Sequence, residues 1–208
     1  MRILFIDTSS ADVSISIVND NKVLASICEK IPNKHSIYTV DFINKAIVMA
    51  GLTPDDIDKI LVVTGPGSFT GVRIGVTIAK TYAYIKNIDI IPVSSLKMLA
   101  LSVEHDYCLC LIDAKHDNYY IGLYDKNNDE VIAEGFNSSD YVLELINKYK
   151  PLIVSSDDIV IGENIIKKQN LNILDIVSYY RDKPLVNSHL IVPNYLKLPQ
   201  ALEEKKND

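Results

Sequence analysis

Positive charge is in deficit in this 208-residue sequence, where 21 lysines and arginines stand against 27 aspartates and glutamates. The formal net charge of −6 excludes the basic surface with which a protein binds nucleic acid unaided, so any contact with RNA requires a partner's positive surface. No apolar run reaches the length of a membrane span, and the opening MRILFID predicts a strand rather than a secretion signal. We therefore expect a folded cytoplasmic protein with no membrane partner.

Cysteine and histidine are also scarce. Cys28, Cys108 and Cys110 lie in apolar stretches without zinc-finger spacing, which predicts buried thiols in a reducing compartment. We expect the side chains of Cys108 and Cys110 to point to opposite faces of a strand, which disfavours a redox pair. The four histidines contain no i,i+4 pair, so no helix-borne metal site is predicted.

The sequence contains an internal repeat. ILFIDTSSADVSISIV aligns with LCLIDAKHDNYYIGLY so that Asp7 meets Asp113, and KVLAS aligns with EVIAE after a two-residue insertion. Each copy has the pattern of three strands followed by a helix. Chance similarity of two strand-rich segments is the alternative. The repeat predicts an α/β protein with two related lobes, residues 1–104 and a smaller lobe at 105–208.

The β-β-β-α order, with an aspartate closing the first strand, resembles the actin-like ATPase and sugar-kinase (ASKHA, RNase H-like) fold. That resemblance implies two duplicated lobes, each with a mixed β-sheet, and phosphate-facing positions at Asp7, Thr8, Ser9 and Asp113. The alternative is structural, because an aspartate at the end of a strand also anchors a turn by accepting backbone hydrogen bonds.

Half of the eight glycines fall in VVTGPGSFTGVRIGV, residues 62–76. A glycine-rich turn before a helix suits an anion, but neither the P-loop register nor the dinucleotide fingerprint is present. This predicted glycine-rich loop comprises Gly65, Pro66, Gly67, Ser68, Phe69, Thr70 and Arg73.

Two predicted helices follow a pattern typical of a partner surface. Small residues recur every fourth position on the helix after the loop, and the helix at 36–50 has an apolar arc wider than one sheet face needs. The alternative is that the small residues pack on the protein's own sheet. The predicted interface consists of Ile37, Val40, Ile43, Ile47, Gly71, Gly75, Ala79 and Ala83.

Five segments together resemble the TsaB (YeaZ) family over nearly the whole chain: ILFIDTSS, GLTPDDIDKILVV, GPGSFTGVRIG, DAKHDNYYIGLYD and PNYLKLPQA. The resemblance implies a scaffold subunit needed for threonylcarbamoylation of adenosine 37 in tRNAs that read codons beginning with A. It implies a catalytic paralogue, TsaD, and an ATPase, TsaE, as partners, a homodimer when alone, and contact with tRNA only through the complex.

The catalytic paralogue has a metal-binding His-x-x-x-His after IPV, whereas IIPVSSLKMLAL places Ser95 and Leu99 at those positions. Leucine cannot ligate a metal and serine is a poor ligand, so we expect no metal, no cofactor and no catalysis by this chain. A small actin-fold ATP-dependent kinase or hydrolase acting alone is the alternative.

The closing VPNYLKLP predicts an extended segment that docks Tyr195 and Leu196, and its role does not follow from the sequence.

Overall fold

The computed structural model describes residues 1–31, 33–159, 161, 165–167 (backbone only) and 171–197. The terminal EEKKND therefore lies outside the described residues. Among these residues no helix combines the length and apolarity needed to cross a membrane.

The first sheet has five strands in the order β3-β2-β1-β4-β5. Strands β1 to β3 form an antiparallel meander, whereas β4 and β5 run parallel to β1. The elements in chain order are β1 (Arg2–Asp7), β2 (Asp12–Asn19), β3 (Lys22–Lys30), α1 (His35–Met49), a 3-10 turn (Pro54–Asp56), β4 (Lys59–Gly65), α2 (Phe69–Lys86), β5 (Asp89–Ser94) and α3 (Ser95–Ala100).

The second sheet repeats this arrangement, with the order β10-β9-β6-β7-β8 and the same parallel and antiparallel pairings. Its elements are β6 (Tyr107–Asp113), β7 (Asn118–Asp125), β8 (Glu130–Ser138), α4 (Ser139–Tyr149), β9 (Leu152–Ser155), β10 (Ile165–Lys167), α5 (Ile173–Tyr180) and a 3-10 turn (Ser188–Leu190). Two mixed sheets, each opened by a β-β-β-α unit, confirm the predicted α/β fold of two duplicated lobes.

The aligned aspartates have the same local role in both lobes. Asp7 Oδ1 accepts the backbone N–H of Ser9 at 2.8 Å, and Asp113 Oδ1 accepts that of Lys115 at 2.7 Å. Each carboxylate therefore closes the turn after the first strand of its lobe, as the structural alternative proposed.

Helices cover both faces of each sheet. On the first sheet, α1 and α2 pack against one face, while Ile176, Val177 and Tyr180 of α5 pack against Ile3 and Phe5 on the other. On the second sheet, α4 covers one face and α3 covers the other. Apolar residues on both faces of the central strands explain the continuous hydrophobic runs of β1, β4 and β6.

The packing does not follow the predicted boundary between residues 1–104 and 105–208. Helix α3 precedes that boundary, yet Leu96 and Leu99 pack against Cys108 and Cys110 of the second sheet. Helix α5 follows it, yet packs on the first sheet. Each lobe's core therefore contains a helix from beyond the boundary, and the division at residue 104 stays a prediction.

The cysteine predictions were wrong in two respects. Cys28 is exposed on β3, which is the outer strand of the first sheet. Cys108 and Cys110 are both buried, but their sulfurs lie 3.5 Å apart on one face of β6, because residues two positions apart in a strand point to the same side. Burial and the neighbouring Cys108 raise the pKa of the Cys110 thiol well above its usual value.

Candidate functional site

The glycine-rich loop joins β4 to α2 with a compact turn. Gly65 has φ +107°, a conformation that favours glycine, and its peptide bond to Pro66 is cis. Ser68 caps α2 by accepting the backbone N–H of Gly71 at 3.2 Å, and its own N–H donates to the carbonyl oxygen of Ser9 at 2.7 Å. Two backbone donors that could have bound an anion are therefore used within the chain.

The glycines let the turn between β1 and β2 approach the start of α2. A β-carbon on Gly67, Gly71 or Gly75 would lie closer than 3.0 Å to an oxygen atom of Ser9 or Thr8. The Thr8 hydroxyl donates to the carbonyl oxygen of Gly71 at 2.7 Å. The loop is thus a packing device for the protein's own backbone.

The structure buries most of the predicted partner interface within the chain itself. Six of its eight residues are buried in the chain itself, because α1 and α2 use them to cover the first sheet: Ile43, Ile47, Gly71, Gly75, Ala79 and Ala83. The small-residue ridge therefore faces the protein's own sheet and turn. Ile37 and Val40 are 63% and 56% exposed, and they remain available to a partner.

The exposed side of α1 and α2 is nevertheless apolar. Ile37, Val40, Val48 and Met49 project from α1 into solvent. An open groove of about 430 Å³ separates the two helices and is lined by Ser36, Val40, Phe69, Thr70, Arg73, Ile74, Thr77 and Ile78. Several exposed large apolar side chains beside an open groove are typical of a protein-binding face. We call it the α1–α2 face.

An aromatic and cationic stack lies at one end of this face. The Arg73 guanidinium lies 3.7 Å above the Phe69 ring, and Arg73 Nε donates to the Tyr195 hydroxyl at 2.6 Å. The rings of Phe69 and Tyr195 are 5.3 Å apart. The sequence analysis placed Phe69 and Arg73 in the loop, but their contact with Tyr195 was missed. The extended segment VPNYLKLP, which contains Tyr195, was the sequence feature from which a docking contact could have been expected.

The predicted phosphate-facing residues of the first lobe are not open to a ligand in this structure. Asp7, Thr8 and Ser9 are all buried, and burial raises the pKa of Asp7 although Ser9 hydrogen bonds oppose the shift. Asp113 is partly exposed and pairs with Lys115. Burial acts to raise the pKa of Asp113, but the hydrogen bonds and charge of Lys115 outweigh it and leave the pKa lowered. The phosphate-facing role of Asp7, Thr8, Ser9 and Asp113 stays a prediction.

The two positions aligned with metal-binding histidines lie one turn apart on α3. The Ser95 hydroxyl faces that of Ser9 at 3.5 Å, and Leu99 is buried in the apolar cluster of the second sheet. Within the described ranges, no group of three or more His, Cys, Asp or Glu residues is arranged to hold a metal ion.

A buried polar cluster joins the two lobes beside α3. The hydroxyls of Ser94 and Tyr124 both donate to Glu134 Oε1, the latter at 2.7 Å. Lys97 Nζ lies 4.0 Å from the centre of the Tyr124 ring and donates to the carbonyl oxygen of Asn128. Burial raises the pKa of Glu134, although the two hydroxyls oppose the shift. This cluster connects β5 and α3 to the β7–β8 hairpin.

Three comparisons relate this arrangement to known proteins. The family model described as TsaD, tRNA N6-adenosine threonylcarbamoyltransferase, matches residues 27–172. The chain is 30% identical to tRNA threonylcarbamoyladenosine biosynthesis protein TsaB of Bacillus subtilis (strain 168), over 97% of this chain and 96% of that protein. It is 31% identical to the tRNA N6-adenosine threonylcarbamoyltransferase of Fusobacterium nucleatum, over 71% of this chain and 49% of that one.

The fold also matches a solved structure. YeaZ from Pseudomonas aeruginosa superposes with a TM-score of 0.78 at 22% identity, covering 94% of this chain and 99% of that one. The superposition spans both lobes, so the two-lobe arrangement is shared as a whole.

Proposed function

This chain belongs to the TsaB (YeaZ) family, and we propose that it acts in the biosynthesis of threonylcarbamoyladenosine in tRNA as a non-catalytic scaffold for a TsaD-type paralogue. The modified position is adenosine 37 of tRNAs that read codons beginning with A. The observation that carries the proposal is the exposed apolar α1–α2 face on a chain that aligns over nearly its whole length with a TsaB protein.

The TsaD-type paralogue is a suitable occupant for this face. The TsaD family model matches residues 27–172, a range that includes both α1 and α2. A related paralogue with an equivalent helix pair can pair with this one about a pseudo-twofold axis, so that each chain covers the other's apolar face. In the absence of the paralogue, a second copy of this chain can occupy the same face, which accounts for the expected homodimer.

The residues on α3 support a role without catalysis. The paralogue's metal ligands would lie at Ser95 and Leu99, and Leu99 is instead part of the hydrophobic core. The net charge of −6 supports contact with tRNA only through the assembled complex, which also contains the TsaE ATPase and acts in the cytoplasm.

Titration calorimetry with a TsaD homologue from the same organism tests the proposal. Val40→Asp introduces a charge into the α1–α2 face and is expected to weaken binding by at least about tenfold, because an unpaired charge would be buried. Leu143→Asp is the matched control, since Leu143 is an exposed apolar residue on α4 of the second lobe. In a reconstituted modification assay, Val40→Asp should lower product formation in parallel.

Two outcomes would contradict the proposal. Wild-type affinity of a folded Val40→Asp protein would show that the paralogue does not use this face. ATP turnover or transfer activity by the isolated chain would contradict the non-catalytic role, and it would support the alternative of a small kinase or hydrolase.

A further inference from the structure

The chain's last described segment, residues 187–197, follows the pairing of Val186 with Ile90 of β5, lies along the first lobe and is named here the C-terminal strap. It is held by hydrogen bonds along its length. Lys80 Nζ donates to the carbonyl oxygens of His189 and Ile191, at 3.1 and 2.9 Å. The backbone N–H of Asn194 donates to the carbonyl oxygen of Thr64 at 2.7 Å. The Ile191 side chain is buried in the core of the first lobe. The strap is therefore a fixed part of the first lobe's surface.

The strap ends against the glycine-rich loop, where Tyr195 meets Phe69 and Arg73. Tyr195 is 40% exposed and Phe69 is 47% exposed, so the stack forms part of the solvent-facing surface. Phe69 and Arg73 also line the groove of the α1–α2 face. Tyrosine, tryptophan and arginine are the residue types most enriched at interface hot spots. A side chain that is held in place before binding loses less entropy on association.

The charge on Arg73 indicates what its partner must present. Arg73 is the one charged residue among the described side chains that line the groove, and within the described part of the chain it has no acidic partner at ion-pair distance. Its Nε donates a hydrogen bond to the Tyr195 hydroxyl, which leaves the edge of the guanidinium formed by the two terminal nitrogens for a ligand. Burying that edge without an acceptor would be unfavourable, and a carboxylate matches its planar, two-pronged geometry.

We propose that Phe69, Arg73 and Tyr195 form a preformed clamp that binds a carboxylate side chain on the TsaD-type paralogue, with the C-terminal strap as its positioning element. This inference rests on the proposed scaffold function and deepens it. Tyr195 fixes the guanidinium plane over Phe69, so that an acidic residue on the partner helix meets it in a single orientation while neighbouring apolar side chains enter the groove.

Calorimetric affinities of single variants for the TsaD homologue test the clamp. Tyr195→Phe removes one hydroxyl and keeps the ring, and it should weaken binding by about threefold to tenfold through a faster dissociation rate. Arg73→Lys keeps the positive charge but loses the planar guanidinium and its stacking on Phe69, and it should weaken binding by about tenfold. The matched controls are Tyr107→Phe and Arg181→Lys, which lie away from the strap.

A salt series identifies the partner chemistry. Affinity of the wild type should fall as salt rises, and Arg73→Gln should flatten that dependence because the ion pair is lost. An Arg73→Gln protein that binds more weakly with unchanged salt dependence would overturn the carboxylate as the ligand.

Val40→Asp separates failure of the clamp from failure of the scaffold function. Weakened binding by Val40→Asp, Tyr195→Phe and Arg73→Lys, with wild-type melting temperatures, supports the clamp. If Val40→Asp weakens binding while Tyr195→Phe and Arg73→Lys bind like the wild type, the clamp is wrong and the scaffold function stands. If Val40→Asp also binds normally, both proposals fail.

Discussion

The Thr8 hydroxyl donates a 2.7 Å hydrogen bond to the carbonyl oxygen of Gly71, which places the first turn of the chain directly on the first turn of α2. Gly75, one helical turn further on, approaches the same hydroxyl so closely that a β-carbon there would overlap it. The glycines of the loop are therefore explained by contact with Thr8 and Ser9. A phosphate need not be invoked for them.

Gly75→Ala should destabilise the protein. The added methyl group would displace the Thr8 hydroxyl, and overpacking of this kind costs about 1–3 kcal/mol, more than alanine's helix propensity returns. Thr8→Ala removes the obstacle, so the double variant should be less destabilised than the sum of the two single variants. Urea denaturation measures all three, with Thr77→Ala on the exposed side of α2 as control. Wild-type stability of Gly75→Ala would refute the packing role.

Asp7→Asn should stabilise the protein at neutral pH. Burial raises the folded-state pKa of Asp7, so the folded protein holds this proton more tightly and its stability falls as the pH rises above the unfolded value of 3.8. Asparagine keeps the oxygen that accepts the Ser9 N–H and carries no charge to desolvate. Thermal melts of both proteins from pH 3 to pH 8 should show an advantage for the variant that shrinks toward the acid end. An advantage that is independent of pH would contradict this cause.

Glu134→Leu should weaken the connection between the lobes. Ser94 and Tyr124 would each lose a buried acceptor, and an unsatisfied buried polar group costs about 1–3 kcal/mol. Glu134→Gln keeps an acceptor oxygen and should cost less, which separates hydrogen bonding from charge. Glu130→Leu, on the exposed start of the same strand, is the control. Equal unfolding free energies for the two leucine variants would rule out a structural role for the cluster.

The purified chain should contain no stoichiometric iron or zinc. Leu99 supplies no donor atom, and Ser95 faces the hydroxyl of Ser9 rather than a set of ligands. Elemental analysis after purification without chelators is the measurement. One metal ion per chain would overturn the expectation.

Binding of tRNA by the isolated chain should be weak at physiological salt, because the net charge of −6 opposes contact with phosphates. Fluorescence anisotropy with labelled tRNA should show binding when the paralogue is added. A submicromolar dissociation constant for the chain alone would count against a scaffold that reaches tRNA only through its complex.

The fold could be predicted from the sequence because each strand, turn and helix of the repeat is marked by a pattern among neighbouring residues. When Asp7 is aligned with Asp113, the same sequence offset places β2 on β7. The two-residue insertion then brings β3 into line with β8. Hydrophobic alternation, hairpin turns and helix stops are all signals that neighbouring residues carry, so the order of elements followed from them.

The candidate site was harder to predict because it depends on contacts between distant residues. Spacing along α2 identified the ridge of Gly71, Gly75 and Ala79, but spacing cannot say which side of a helix meets the sheet. The turn at Thr8 decides it. The contact between Arg73 and Tyr195 spans 122 residues, and no local pattern indicates such a pairing.

The exchange of α3 and α5 between the lobes has a consequence for synthesis on the ribosome. Domains usually fold as they emerge, the N-terminal one first. Here the face of the first sheet that holds Ile3 and Phe5 is covered by α5 only when that helix, close to the end of the described chain, has left the exit tunnel. Until then Met98 of α3 covers that face only in part, and this interval is the stage at which a chaperone would be needed most.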